Sequence, residues 1–308
     1  MEILLKIAPL FLVIAVGFAG ARRGFFPPGF VGPANRLAYY LAIPALILRA
    51  VAQAPLGESL QPMPALLAVA GLALGWGVAV ALSYIMPGAG QASGPYRASW
   101  IQCATHGNQG LMGLAVVFYA LGQPGLASAG LIITAVIVGQ NLLAVITLAR
   151  WGEKQVSGAS FFQAVGLNPI ILATLLGMAL SMTGAHLPGF VDRTLEILAG
   201  LGVPLALLIV GANLAGSRLG GAWTSLAGMQ AVKLFIIPAL GLALLKIAGA
   251  GPIPSTVAVV LLSSPTATLT VIMANQLGGD AELSSQAISA SHLLSVLSYS
   301  FWLWLLIP

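Results

Sequence analysis

The sequence predicts an all-α integral membrane protein with ten transmembrane helices in two inverted five-helix repeats. Three observations predict this fold: the composition, the number of apolar runs and an internal duplication. Only 6% of the 308 residues are charged and 59% are hydrophobic, whereas a typical soluble protein has about 25% charged residues. Such a chain cannot cover a water-facing globular surface. We therefore expect almost all of it to lie in or beside a lipid bilayer.

Ten apolar runs approach the length of about 20 helical residues that a hydrocarbon core requires. They lie at residues 4–20, 35–54, 65–86, 98–121, 127–149, 161–182, 194–214, 225–248, 254–277 and 283–306. The connections between them are too short to fold as domains. A glycine-rich loop ending in Gly-Lys is absent from the sequence, which excludes a built-in ATP-driven motor.

Basic residues are distributed unequally between the two predicted sides of the membrane. Seven lie near the odd-numbered connections: Arg22, Arg23, Arg36, Arg97, Arg150, Lys154 and Arg218. Four lie near the other side: Lys6, Arg49, Arg193 and Lys246. The positive-inside rule then places the odd connections in the cytoplasm and both termini outside it, in a cell (inner) membrane. Although the net charge is +5, we expect no nucleic-acid partner, because that needs clustered basic residues on a soluble surface.

A duplication relates the first two runs to the sixth and seventh. A shift of 160 positions superposes Pro9 on Pro169, Gly17 on Gly177, Gly24 on Gly184, residues 28–31 on 188–191, and Pro44 on Pro204. The first run also has features of a signal peptide, but the duplication favours its retention as a helix.

The duplication divides the chain into residues 1–151 and 157–308. Five spans in each half is an odd number, so the second half enters the membrane from the opposite side. Inverted repeats are typical of secondary transporters, whose two halves can exchange conformations and expose a central site to each side in turn. The alternative is a duplication that serves packing alone.

Spans 4 and 9 are predicted to be interrupted. Span 4 contains Gly107, Gly110 and Gly113 around Asn108, and span 9 contains Pro265 in "LSSPTATLTV". Proline removes a backbone donor and costs about 3 kcal/mol in an ordinary helix, and glycine costs up to about 1 kcal/mol. If the two broken helices cross at mid-membrane, their half-helix N-termini present N–H groups and partial positive charge to one point. The pattern therefore predicts a site for an anion.

The interrupted segments resemble those of the auxin efflux carrier family. The similarity lies in the run 108–113, "NQGLMG", and in "VIMANQLGGDAELSSQAISASHLLSVLS" after Pro265. The family includes plant auxin carriers and bacterial permeases suggested to carry malonate and malate, and it is more distantly similar to bile-acid sodium symporters. The resemblance implies an elevator-type transporter of a small organic anion, namely a carboxylate.

The resemblance also implies roles for individual elements. Asn108 would contact the substrate carboxylate, and Gly107 with Pro265 would mark the crossover. Spans 1, 2, 6 and 7 would form a scaffold that dimerises, and spans 3–5 with 8–10 a mobile transport unit. The sequence departs from the family pattern at Gly107 and Ala115, where prolines are usual, so we expect a softer break in span 4.

Several other polar residues are candidates for the site. Lys233 lies within span 8, where a lysine costs about 2.5 to 3.5 kcal/mol on insertion scales. It is predicted to act as a counter-charge for a substrate carboxylate, or to take the place of the sodium ion of coupled relatives; snorkelling or pairing inside the bundle is the alternative. His106 is a possible proton carrier. The remaining candidates are polar or flexible residues near the breaks: Gln109, Gly110, Gln140, Asn141, Ser264 and Thr266. For Ser264 and Thr266, satisfying backbone groups freed by Pro265 is an equally good role.

Acidic residues are missing from the depth of every predicted span. We therefore expect no carboxylate proton relay, no metal site and no cofactor. The short motifs of metal-dependent and serine hydrolases are also absent, so an enzyme is not expected. A sodium-coupled symporter of amphipathic anions, of the bile-acid type, is the main alternative to an anion transporter. A channel or a transport-derived sensor is a further alternative.

Overall fold

The computed structural model describes residues 2–27, 29–53, 62–86, 93–154, 168–185, 187–216 and 223–307. Within these ranges every regular element is helical, and the sole β pairing is one isolated bridge. Pro28 of the duplicated turn, Arg218 and the start of the sixth predicted span, 161–167, lie outside the described residues.

The helices of the first half of the chain fall in the first five apolar runs. They are α1 (Glu2–Arg22), α2 (Val31–Leu37), α3 (Ile43–Ala52), α4 (Pro62–Ile85), α5 (Gly94–Thr105) and α6 (Leu114–Trp151). One π-helical segment, Ala38–Ala42, joins α2 to α3, and a second, Gln109–Gly113, leads into α6.

The second half contributes α7 (Pro169–Thr183), α8 (Gly189–Gly216), α9 (Trp223–Ala231), α10 (Ile237–Ile247), α11 (Pro252–Leu262), α12 (Leu269–Leu277) and α13 (Ala281–Leu306). A π-helical segment, Val232–Ile236, joins α9 to α10. Asn168 caps α7 by accepting hydrogen bonds from the backbone N–H groups of Ile170 and Ile171. Asp280 caps α13 in the same way through the N–H of Leu283.

Five helical stretches among the described residues are long and apolar enough to cross a membrane: Pro62–Ile85, Gln109–Trp151, Gly189–Gly216, Trp223–Ile247 and Ala281–Leu306. Shorter apolar helices accompany them at Ala8–Arg22, Pro169–Thr183 and Pro252–Leu262. The chain is therefore an all-helical, multi-pass membrane protein. The arrangement as ten spans in two inverted repeats stays a prediction.

The stretch Gln109–Trp151 is two helices rather than one. Its 43 residues would make a straight helix of about 65 Å, twice the thickness of a hydrocarbon core. At Gly122 the backbone leaves the helical region, with φ 63° and ψ −150°. A Cβ on Gly125 would lie only 3.1 Å from Val117, a residue that a straight helix would place about 12 Å away. The chain therefore reverses direction at Gly122, between predicted spans 4 and 5.

Two of the π-helical segments precede a proline. Ala38–Ala42 ends two residues before Pro44, and Val232–Ile236 ends two residues before Pro238. Proline has no N–H and its ring collides with the carbonyl four residues earlier, so the preceding turn widens to the i→i+5 pattern. The second wide turn contains Lys233.

Four helical spans pack mainly against one another: α1 on α8, and α3 on α7 and α8. Glycines allow the close approach of their backbones. A Cβ on Gly17 of α1 would lie 2.9 Å from the Leu208 Cα of α8, and one on Gly177 of α7 would lie 3.0 Å from the Leu48 carbonyl oxygen of α3. These are the helices of the predicted scaffold.

The remaining helices form a second group, in which α4 packs on α10 and α6, and α11 packs on α6 and α10. At the α4–α10 crossing, a Cβ on Gly71 would lie 2.6 Å from the Cα of Gly241. No larger residue fits between these two backbones.

Candidate functional site

The two interrupted segments cross each other at the centre of the second helix group. α5 ends at Thr105 and α11 ends at Leu262. Beyond these helix ends the two backbone segments run antiparallel, with Gly107 paired to Thr266. The Asn108 N–H donates to the Pro265 carbonyl at 2.7 Å, and the Ala267 N–H donates to the His106 carbonyl at 3.0 Å. Backbone groups freed by one break are thus satisfied by the other, as a membrane interior demands.

Gln140 of α6 holds the crossover from the side. Its Oε1 accepts from the Gly107 N–H at 2.9 Å and from Gln109 Nε2 at 2.8 Å, and its Nε2 donates to the Gly107 carbonyl at 3.3 Å. One amide side chain therefore satisfies both backbone groups of Gly107. Asn141, the next residue, donates only to the Ile137 carbonyl of its own helix.

The hydroxyls beside Pro265 bond to the backbone. Thr266 Oγ1 donates to the Cys103 carbonyl at 2.9 Å, at the end of α5, and Ser264 Oγ donates to the Val260 carbonyl at 3.3 Å. Tyr299 in turn donates to Ser264 Oγ. Of the two roles predicted for Ser264 and Thr266, the structure displays the repair of the broken helix.

Lys233 lies against the crossover and is fully buried. Its Nζ donates to the carbonyl of Leu262, the last residue of α11, at 2.8 Å. A Cβ on Gly107 would lie 2.8 Å from this Nζ and 2.9 Å from Gln109 Nε2. The absence of a side chain at Gly107 therefore makes room for the ammonium group of Lys233.

A cavity of about 750 Å³ opens beside the crossover, between the two helix groups. On the scaffold side it is lined by α2 with its π-helical extension and by the start of α7. On the other side it is lined by residues 106–111, by the middle of α6, by Ala267 and Thr268, and by one face of α12. A bound molecule would contact both groups.

The cavity brings together most of the predicted site residues: His106, Gly107, Asn108, Gln109, Gly110, Gln140 and Asn141. It does not include Lys233, Ser264, Pro265 or Thr266, which lie behind or within the crossover. Asn108 Nδ2 is buried and has no hydrogen-bond partner among the described residues. It is a free donor beside the cavity.

The cavity is also lined by four residues that were not predicted to belong to the site: Asn35, Arg36, Tyr39 and Asn168. Arg36 was predicted only to lie near a cytoplasmic connection. Asn168 Nδ2 donates to the Tyr39 hydroxyl at 2.9 Å and so joins the two scaffold walls. The polar pair Asn35 and Tyr39 could have indicated this wall of the cavity. The two residues are four apart in the sequence and so lie on one face of a mainly apolar helix.

The electrostatic character of the cavity favours an anion. Residues 109–111 and 268–269 are the first turns of two half-helices, and the leading N–H groups of a helix have no partner inside it. Both turns line the cavity. Arg36 adds a full positive charge, and the described lining residues include no Asp or Glu. Nor do the described residues contain a group of three His, Cys, Asp or Glu that would hold a metal ion.

Replacing Gln140 with leucine is expected to destabilise the crossover. The change leaves the Gly107 N–H and Gln109 Nε2 buried without an acceptor, which costs about 1 to 3 kcal/mol. Thermal unfolding of the detergent-purified protein measures the effect. Asn141→Leu is the matched control, because Asn141 bonds only within α6. A Gln140→Leu protein as stable as the control would contradict this role.

Comparison with known proteins places the chain among membrane transporters. It is 27% identical over 310 residues to a Rhizobium meliloti protein named "Putative malonate transporter", covering 99% of this chain and 96% of that protein. It is 24% identical over 206 residues to an uncharacterized transporter of Methanocaldococcus jannaschii, covering 65% and 66%. The family described as "Membrane transport protein" matches residues 2–165 and 162–303. The chain therefore belongs to this membrane transport protein family, which is the auxin efflux carrier family that its motifs predicted.

Proposed function

We propose that the protein is a secondary transporter that carries a small organic anion, a carboxylate, across the cytoplasmic membrane. The observation that carries this proposal is the free amide donor of Asn108, placed with two half-helix N-termini on a cavity without acidic side chains among its described residues. Such an arrangement binds carboxylates, because it offers donors and positive potential and no competing negative charge.

Short dicarboxylates are the first substrates to test. The relative named as a malonate transporter supports this choice, since its similarity extends over 99% of this chain. Arg36 provides a cation on one wall and Asn108 a hydrogen-bond donor on the opposite wall, which suits a molecule with a carboxylate at each end. The protein is not an enzyme in this proposal, and it needs no cofactor.

Transport proceeds by an elevator mechanism in this proposal. The scaffold comprises α1, α2, α3, α7 and α8, and the other helices form the mobile unit. The packing of each group mainly on itself supports this division, as does the position of the cavity at their boundary. The scaffold would also supply the interface of a homodimer, which cross-linking of single cysteines placed in α1 and α8 can test.

Two inverted five-helix repeats, residues 1–151 and 157–308, generate this mechanism in the proposal. Matched helix ends support it. Gly24 and its predicted counterpart Gly184 both have positive φ, 72° and 65°. Gly122 and Gly278, at the ends of the two interrupted spans, do so as well, at 63° and 80°. Only glycine adopts such values without strain.

The cavity faces the side of the odd-numbered connections. Arg36 lies just after the first of these connections, Asn168 just after the fifth, and Leu277 just before the ninth, and all three line the cavity. The excess of basic residues on this side supports a cytoplasmic location for it. We therefore assign the structure to an inward-facing state, with both termini outside the cytoplasm.

Uptake of radiolabelled malonate by liposomes containing the purified protein tests the proposed function. Saturable uptake under an imposed gradient or membrane potential is expected. Absence of carboxylate uptake under every imposed gradient would refute the proposal. Strict dependence on sodium, with preference for larger amphipathic anions, would favour the sodium-coupled symporter, and flux that never saturates would favour a channel.

Arg36→Gln is expected to raise the malonate concentration for half-maximal uptake about three- to tenfold. The arginine is exposed at the cavity, so solvent weakens its attraction for a carboxylate. Arg22→Gln is the control, because Arg22 lies near the same side of the membrane, stacks over Phe18 and does not line the cavity. If the two variants reach half-maximal uptake at the same malonate concentration, Arg36 does not contribute to substrate binding.

A further inference from the structure

Lys233 is the one buried ammonium in the described part of the chain, and the proposed transport cycle gives it no direct contact with the anion. It has no acidic partner among the residues that the structure describes, whose ion pairs join Arg49 to Asp192 and Glu196 at the scaffold surface. An isolated charge inside a membrane is strongly unfavourable. Something other than a carboxylate side chain must therefore balance Lys233.

Helix ends provide that balance. Nζ bonds to the carbonyl of Leu262 at 2.8 Å, which is the last residue of α11, and lies against Gly107, two residues beyond the end of α5. The C-terminal end of a helix carries partial negative charge from carbonyl groups that lack partners. Both broken helices thus direct this end toward the same ammonium group.

The space around the ammonium is shaped for it. A Cβ at position 107 would lie 2.8 Å from Nζ and 3.0 Å from Cε of Lys233, so any side chain there would displace the lysine. Oxygen atoms from helix ends, gathered in a buried pocket behind a crossover, are also the groups that bind a hard metal cation. In this chain the ammonium group of Lys233 occupies such a position.

We propose that Lys233 is a resident cation of the crossover, which replaces a bound metal ion and strengthens anion binding electrostatically through the crossover backbone. This inference rests on the proposed function. Lys233 is a positioning residue: it neutralises the two helix C-termini, holds Gly107 in place beside Asn108, and supplies positive charge behind the cavity. The bound carboxylate and the ammonium then compensate each other, so that binding needs neither sodium nor potassium.

A malonate titration of the detergent-purified protein tests the inference, with the rise in unfolding temperature as the measure of binding. The wild type is expected to bind malonate equally in sodium, potassium and choline buffers. Lys233→Met keeps the length of the side chain and removes the charge, so the dissociation constant should rise about tenfold or more. Gln230→Leu is the matched control: Gln230 is buried one turn earlier and donates only to the Ala287 carbonyl, so its affinity should equal that of the wild type.

Lys233→Ala is the most informative variant, because it empties the position without filling it. Added sodium or ammonium is expected to restore part of the malonate binding that this variant loses, whereas the wild type should not respond. Gly107→Ala in the wild-type background displaces the ammonium by another route and should also weaken binding, which keeps the inference testable if the lysine variants do not fold.

Two results would overturn the inference: malonate affinity in Lys233→Met or Gly107→Ala equal to that of the control, or sodium-dependent binding in the wild type. Failure of the proposed function has a different signature, since the wild type would then bind no carboxylate in any buffer. If the wild type binds carboxylates and the Lys233 variants bind them equally well, transport stands and the resident-cation role alone is lost.

Discussion

Asn108→Ala is expected to weaken carboxylate binding and transport strongly while leaving the fold intact. The crossover is held by the backbone N–H of Asn108, which donates to the Pro265 carbonyl, and alanine keeps that group. What disappears is the free Nδ2 donor beside the cavity. A hydrogen bond to a charged group contributes about 1.5 to 3 kcal/mol, so malonate affinity should fall by about ten- to a hundredfold.

Asn108→Asp sharpens this prediction, because it replaces the donor by a negative charge of nearly the same size. Repulsion between the new carboxylate and the substrate should weaken binding further than alanine does. Asn275→Ala is the control, since Asn275 is an exposed residue of α12 that does not line the cavity. Malonate uptake in liposomes and stabilisation in detergent measure the effect. Retained uptake in both Asn108 variants would place the carboxylate elsewhere.

Gly71→Leu is expected to disrupt the mobile unit. The new Cβ would lie 2.6 Å from the Cα and 2.8 Å from the N of Gly241, and both atoms belong to the backbone of α10. Backbone cannot move aside as a side chain does, so α4 and α10 must separate. Overpacking of this kind costs about 1 to 3 kcal/mol and sometimes more.

Thermal unfolding and the yield of monodisperse protein measure this effect. Gly77→Leu provides the control, because Gly77 lies on the same helix and a Cβ there would meet nothing within 4 Å. A large loss of stability in Gly71→Leu and little change in Gly77→Leu is the expected pattern. If both variants unfold at the wild-type temperature, α4 and α10 do not pack as closely as described.

The breaks in spans 4 and 9 could be predicted from the sequence because their cause is local. Pro265 and the glycines around Asn108 weaken a helix wherever they occur. The turn at Gly122 was also accessible, since no single helix of that length fits a bilayer. Helix length alone would have missed α5 and α11: each has at most 12 residues and reaches about half-way across the core.

The direction in which each polar side chain points could not be predicted. Asn108 and Thr266 lie in paired parts of the crossover, yet Asn108 lines the cavity and Thr266 bonds to the end of α5. The difference depends on how the two segments are rotated about each other, which is a tertiary property. Arg36 was missed for a related reason: a basic residue near the end of a span usually marks the membrane interface. Only the packing of the segment Ala38–Ala42 against Gln109–Gly113 brings this part of the chain to the cavity.

The junction between the two interrupted segments is made by main-chain atoms, through the bonds Asn108 N–H to Pro265 and Ala267 N–H to His106. Main-chain bonds do not depend on side-chain identity. The side chains of residues 106, 108 and 267 can therefore change without loss of these two bonds, whereas Gly107 cannot gain one, because Lys233 leaves no room. Proteins sharing this architecture can diverge in substrate preference through substitutions at positions such as 108, 109 and 268, on a framework that persists unchanged.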